Sequence, residues 1–208
     1  MTKLLILDRD GVINEESAAY VKSPEEWHPI PGSLEAIALL CQRGWEITIA
    51  TNQSGIGRGY YDEAMLTKIH NKMHQALDAL GGKIHYVSYC PHHPEAGCAC
   101  RKPKVGLLEQ IAAQYKLSFP FDTHTIPFVG DSARDLIAAD AAGCQPILVL
   151  SGNGRKTLET LQKESAEPTA SGEKTRALLE KTIVCADLMA AVKTLPLFQN
   201  TRTVKCRA

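Results

Sequence analysis

The chain has 208 residues, 44% of them apolar, which is enough for one domain with a sizeable core. Lysine plus arginine equals aspartate plus glutamate at 23 each, so the formal net charge is zero. Such a balance argues against nucleic acid as the principal partner and leaves room for a small phosphorylated metabolite, which needs only a local cluster of cations. No apolar run approaches the roughly 20 residues that span a bilayer. The run Leu4 to Leu7 is far too short for a signal-peptide core. A cytoplasmic monomer without membrane contact is expected. The seven cysteines, an odd number, disfavour a fully paired disulfide framework, and clustered cysteines in a reducing compartment more often bind metal.

Short apolar runs alternate with amphipathic stretches along the chain. Lys3 to Leu7 reads as a buried strand that ends in acid. Ser33 is an expected N-cap for a helix through Gln42, closed by Gly44. Trp45 to Ala50 is a second strand, running into Thr51-Asn52-Gln53-Ser54. Asp62 caps a long helix whose apolar positions Leu66, Ile69, Met73, Leu77 and Leu80 recur every three to four residues. Ile84 to Tyr89 alternates like a strand, and residues 90–103 form a loop rich in Cys, His and Pro. A helix over Gly106 to Tyr115, a strand over Thr125 to Val129, a helix over Ala133 to Ala142 and a strand over Pro146 to Leu150 follow. Beyond Ser151 the pattern weakens. Glu164 to Lys174 reads as an exposed loop, Arg176 to Lys181 and Asp187 to Lys193 as helices, and Ile183 to Cys185 as a short edge strand.

Repetition of strand and helix predicts an α/β, Rossmann-like, mostly parallel sheet flanked by helices, in one domain over residues 1–194 with a tail at 195–208. Ligands in such sheets sit beyond the carboxyl ends of the strands. Three predicted strands end there in polar clusters: Asp8-Arg9-Asp10, Thr51-Asn52 and Gly130-Asp131.

Two carboxylates as close as Asp8 and Asp10 repel unless a cation lies between them, and magnesium favours carboxylate oxygens together with water and phosphate. A bare Asp-x-Asp is more often an acidic turn. Here Thr51 offers a hydroxyl, Lys102 a fixed charge and Asp131 a further magnesium ligand, each from a distant part of the chain. Together they point to phosphoryl chemistry.

Asp8-Arg9-Asp10-Gly11-Val12, Thr51-Asn52, Lys102 and Gly130-Asp131-Ser132-Ala133-Arg134-Asp135 resemble the four motifs of the haloacid dehalogenase superfamily phosphatases. Residues 51–59 (TNQSGIGRG), with Cys90-Pro91-His92-His93-Pro94 and Cys98-Ala99-Cys100-Arg101-Lys102-Pro103, resemble the branch that holds histidinol phosphatase and D,D-heptose bisphosphate phosphatase. The resemblance implies that Asp8 is the nucleophile and Asp10 the general acid and base. It implies Mg2+ held by Asp8, Asp10 (through its backbone carbonyl) and Asp131, with Asp135 behind them. Thr51, the backbone N–H of Asn52 and Lys102 would surround the transferring group.

Cys90, Cys98 and Cys100 with His92 or His93 make a closed tetrahedral donor set, which favours structural Zn2+. The resembling family uses the histidine two after the cysteine, here His92. Such a zinc-bound loop would fix Arg101 and Lys102 at the substrate entrance. The stretches from Asp8 to Ser33 and from Thr51 to Asp62 are too short for a domain of about 50 residues or more, so no cap domain is expected. Glu16 to Trp27 would form a flap, with Tyr20 and Trp27 as candidate substrate contacts.

Gln53, Ser54 and Arg101 complete the candidate substrate-binding set, and an arginine fork at 101 suits a second phosphate. The resemblance implies D-glycero-D-manno-heptose 1,7-bisphosphate as the substrate, cleaved at the 7-phosphate, for lipopolysaccharide core or surface-glycan precursors. Histidinol phosphate is the alternative, and a non-catalytic zinc-stabilised interaction module is the alternative of another class. His70 and His74 lack the glutamate of a metalloprotease helix and are read as having no catalytic role.

Overall fold

In the computed structural model, which describes residues 3–121 and 126–195, six parallel strands form one sheet. They are β1 (Lys3–Leu7), β2 (Trp45–Asn52), β3 (Tyr86–Cys90), β4 (Pro127–Gly130), β5 (Gln145–Val149) and β6 (Ile183–Cys185), in the order β3-β2-β1-β4-β5-β6. The chain builds outward from β1 to one side, then returns to pair β4 against its other edge. The crevice for a ligand therefore lies at the carboxyl end of β1, between β2 and β4.

Strand periodicity divides the core in two. In β1, Leu5 and Leu7 join Ile47, Ile49 and Val129 on one face, under α1 (Ser33–Cys41), α3 (Glu63–Asp78) and α8 (Leu188–Thr194). Leu4 and Ile6 join Ala50 and Phe128 on the other, under α4 (Gly106–Tyr115) and α5 (Ala133–Ala141). Burial on both faces makes the strand a continuous apolar run, which is why it was legible without alternation.

Asp62 caps α3 as expected, accepting from the Met65 N–H at 2.8 Å, and Leu66, Ile69, Met73 and Leu77 are buried. Leu80 lies past the helix and is exposed. Ser33 is not an N-cap. Gly32, at φ 84°, takes that position, and the buried Ser33 hydroxyl donates to the Val12 carbonyl at 2.9 Å, tying α1 to the loop after β1. Trp27 is 1% exposed and belongs to the core, so it cannot meet substrate. Lys72 donates to the carbonyls of Pro24 and Trp27 and stands 5.9 Å from the indole centroid, which pins the base of the flap to α3.

The expected loop at 164–174 is largely helical: α6 (Gly154–Ser165) and α7 (Ala170–Lys181) form a hairpin. Thr169 caps α7 by accepting from the Gly172 N–H at 3.0 Å. Gly172 weakens the helical pattern in the sequence, yet any side chain there would collide with the Glu167 carbonyl. Leu161 and Leu178 bury themselves against Leu136 and Leu148. Among the described residues no domain is inserted after β1 or β2: residues 8–32 are a mostly irregular flap, and only α2 (Ser54–Gly57) stands before Asp62. The expected tail lies, apart from the buried Leu195, outside the described residues, as does Thr125, the first residue of the strand expected over Thr125 to Val129.

If the hairpin is part of the single domain, Leu161→Ala should destabilise the whole chain by about 2–4 kcal/mol. Urea unfolding would show this as a lower midpoint at unchanged slope. A main transition left in place would mean that α6 and α7 fold apart from the rest.

Candidate active site

The tips of β1, β2 and β4, with the loop after β3, surround a cleft of about 400 Å³ that includes Asp8, Asp10, Thr51, Lys102 and Asp131 in its wall. Tyr20, Asn52, Gln53, Ser54 and Arg101 line the same cleft. Apart from Trp27, every residue expected at the phosphoryl and substrate sites thus comes to one place.

Lys102 is 2% exposed, although it sits in a loop. Its ammonium pairs with Asp8 Oδ2 at 2.9 Å and with Asp135 Oδ1 at 2.6 Å, and donates to the Ala50 carbonyl at 2.7 Å. Burial opposes that charge, but Asp135 and Asp8 outweigh it and hold the lysine above its ordinary pKa. The backbone around it is clamped by Asn52. The Lys102 N–H donates to Asn52 Oδ1 at 3.0 Å, and Asn52 Nδ2 donates to the Lys102 carbonyl at 3.1 Å. The Asn52 side chain is therefore spent on positioning.

Asp10 faces a different set of groups. Arg9, 1% exposed, reaches both of its oxygens, at 2.8 and 3.0 Å through Nη2. Asn14 Nδ2 donates to Oδ1 and Gln53 Nε2 to Oδ2, each at 2.9 Å. Although burial disfavours the ion, Arg9, Asn14 and Gln53 together hold the Asp10 carboxyl below its usual value. Gln53 also donates to Thr51 Oγ1 at 2.9 Å and accepts from the Tyr61 hydroxyl at 2.7 Å. His70 Nε2 lies 3.3 Å from Arg9 Nη1, and burial and then Arg9 push its pKa down to about 3, so the ring is a neutral buttress. Sequence reasoning missed this support of Arg9, Asn14, Tyr61 and His70, because helix spacing shows only the face of His70, not its neighbour.

Carboxylate oxygens of Asp8, Asp131 and Asp135 lie within 4.8 Å of one another. Burial, followed for Asp8 by the partly offsetting Lys102 and then its acidic neighbours, pushes Asp8 up to about 7. Burial and Asp135 push Asp131 up to about 7 as well. Asp135 is committed elsewhere: Oδ1 faces Lys102, while Oδ2 accepts from the Ser132 N–H at 3.0 Å and from its hydroxyl at 2.6 Å. Asp8 and Asp131 are left as carboxylate donors that fit a hard divalent cation. The loop after β5 completes their surroundings. The Asn153 N–H donates to Asp131 Oδ2 at 2.8 Å, and a side chain at Gly11 (φ 78°) or Gly152 (φ 54°) would collide with that carboxylate. No sequence motif announced this loop.

Donor atoms of Cys90, His92, Cys98 and Cys100 also lie within 4.8 Å of one another. Adjacent donors are 3.2 to 3.6 Å apart. A tetrahedron with bonds of about 2.0–2.3 Å has edges of about 3.3–3.8 Å, so the set fits a four-coordinate metal. His93 instead accepts from the Glu95 N–H at 3.3 Å, which leaves His92 as the fourth donor.

A family model described as polynucleotide kinase 3 phosphatase matches residues 3–185. The D-glycero-beta-D-manno-heptose-1,7-bisphosphate 7-phosphatase of Bordetella bronchiseptica is 51% identical over 193 residues, 93% of this chain and 97% of its own. Its counterpart in Pseudomonas aeruginosa is 54% identical over 155 residues, 74% of this chain and 85% of its own. The crystal structure of the D,D-heptose 1,7-bisphosphate phosphatase from B. bronchiseptica, complexed with magnesium and phosphate, superposes with a TM-score of 0.81. It has 49% identity and covers 93% of this chain and 98% of the other. The chain belongs to the D,D-heptose 1,7-bisphosphate phosphatase family of haloacid dehalogenase-like phosphatases. It is a phosphoric monoester hydrolase. In this family member the predicted mostly parallel sheet flanked by helices is the observed fold.

Removing one carboxylate opposite Lys102 leaves a buried charge half compensated. Asp135→Ala should therefore cost about 3–5 kcal/mol of stability. Chemical denaturation would measure it, and a loss under about 1 kcal/mol would show that Asp8 alone suffices for the ammonium.

Proposed function

We propose that the chain removes the 7-phosphate of D-glycero-β-D-manno-heptose 1,7-bisphosphate through an aspartyl-phosphate on Asp8. The observation that carries this reading is the junction of Asp8 with Lys102 and Asp131 in one cleft, in a chain half identical to relatives named for that reaction.

Asp8 Oδ attacks phosphorus as the bond to the sugar O7 breaks, and Asp10 gives the leaving oxygen a proton. Water then attacks the phosphoryl group, Asp10 takes its proton, and the bond from Asp8 to phosphorus breaks to free inorganic phosphate. The Lys102 ammonium, the Thr51 hydroxyl and the Asn52 N–H stabilise the equatorial oxygens. Magnesium, held by Asp8, the Asp10 carbonyl and Asp131, would keep Asp8 ionised at neutral pH and neutralise phosphoryl charge. Tyr20, Gln53, Ser54 and Arg101 bound the space for the sugar, with Gln53 acting mainly on Asp10.

Zinc in the Cys90, His92, Cys98, Cys100 set is structural in this reading. The names of the relatives favour the heptose over histidinol phosphate. A binding module that had lost catalysis would have no use for the combined acids, hydroxyl and lysine. The expected setting is the cytoplasmic synthesis of lipopolysaccharide core or surface-glycan precursors by a monomer. No described helix is long and apolar enough to cross a membrane.

Asp8→Asn should abolish phosphate release from the heptose bisphosphate while circular dichroism shows an unchanged fold. Retained turnover in that variant would rule out the nucleophile assignment. For the zinc loop, metal analysis should find one zinc per chain, and Cys98→Ser should lose the metal, part of its thermal stability and most of its activity. A zinc-free variant with wild-type turnover would break the proposed link between the loop and Lys102.

A further inference from the structure

Arg101 and Arg134 reach one cleft from separate parts of the chain, Arg101 from the zinc loop and Arg134 from the first turn of α5. Three observations make the pair unusual. Neither guanidinium lies within 4.0 Å of a carboxylate oxygen or makes a hydrogen bond among the described residues, although acids crowd the centre of the cleft. Arg101 is partly buried, and its Nη1 is shut from solvent with no hydrogen-bond partner. A cation in the first turn of a helix also opposes the helix dipole, which favours an anion there.

Arg134 is solvent-exposed and Arg101 partly buried, so both cations face the cleft without a partner, and local rules are broken in this way where a ligand supplies the missing group. That group must be an anion, and two guanidinium forks suit the oxygens of a phosphate. Glu16, also in the wall, lies close enough to feel Arg134 but does not pair with it, so it does not fill the role.

We propose that Arg134 is a specificity-determining residue that, together with Arg101, holds the second phosphate of the substrate, the one that is not cleaved. Ser132, at the start of the same turn, is spent on Asp135 and leaves Arg134 as the basic group that α5 offers to the cleft. The inference rests on the bisphosphate reading above and assigns the residue that would make a second phosphate worth binding.

The test compares kcat/KM for D-glycero-β-D-manno-heptose 1,7-bisphosphate with that for the heptose 7-phosphate, which has the same scissile ester and lacks the second anion. The wild-type chain should prefer the bisphosphate. Arg134→Ala should lower that preference by about 10- to 100-fold, the range expected for one charge-assisted contact, mostly through KM, and Arg134→Lys should restore part of it. An unchanged preference in Arg134→Ala, with the wild type still selective, would overturn the role of Arg134 and leave the proposed function standing. A wild-type chain that hydrolyses neither ester, or both equally well, would overturn the bisphosphate reading and this inference with it.

Discussion

Charge balance around a buried ammonium governs this molecule. Asp8, Asp10, Asp131 and Asp135 converge where, among the described residues, only Arg9 and Lys102 are buried as cations. Fully ionised, that cluster is short of two positive charges, the charge of one divalent cation. The imbalance is not spread evenly. Asp10 is held down by Arg9 and Asp135 by Lys102, which Asp8 shares, whereas Asp8 and Asp131 are both pushed up to about 7. The two acids that a metal would join are thus the two that resist ionisation without it. A strand tip is one of the few places where such groups can be packed so tightly, because the sheet behind them is rigid and apolar.

Lys102 has to be delivered to that tip from a loop, and loops place side chains poorly unless something holds them. Four tethers act on this one. The Cys and His cluster gathers residues 90–100, and Lys104 donates to the Gly97 and Cys98 carbonyls at 2.8 and 2.7 Å. Asn52 clamps the Lys102 backbone from the end of β2. On the far side α2 closes against the loop, where the Gly57 N–H donates to the Pro91 carbonyl at 2.8 Å and a side chain at 57 would collide with His93. The glycines at 55 and 57 therefore serve close packing, while Gly59, at φ 74°, makes the turn.

What the sequence displayed and what it hid follow from the range of the interactions. Strands buried on both faces and helices with a clean apolar stripe are local patterns, so β1, β2 and α3 could be read with bounds close to those observed. Strand tips carrying acid and hydroxyl residues, set in a parallel sheet, predict that Asp8, Thr51 and Asp131 meet. The α6–α7 hairpin stayed hidden because its sequence is polar with a glycine in the first turn, and only Leu136 and Leu148, on other elements, explain why it folds. Trp27 was ambiguous for the same reason: an aromatic in an irregular flap is core or contact according to what covers it, and Lys72 of α3 covers it here. The network behind Asp10 joins residues 9, 14, 53, 61 and 70, separations at which no periodicity survives.

That network places opposing demands on Asp10 in the proposed cycle. Every group around its carboxylate is a donor, two of them from a guanidinium, so the free protein stabilises the ion and suits the half of the cycle in which water loses a proton. The other half needs a proton on the same group. An arriving phosphoryl dianion supplies the opposing field, since a like charge beside a carboxylate raises its pKa. Asp10 would then be an acid only while the phosphoryl group is on the substrate side, and a base once that group has moved onto Asp8 and lost charge. A single residue can serve both steps because its neighbours hold it near one state and the substrate's own charge moves it to the other.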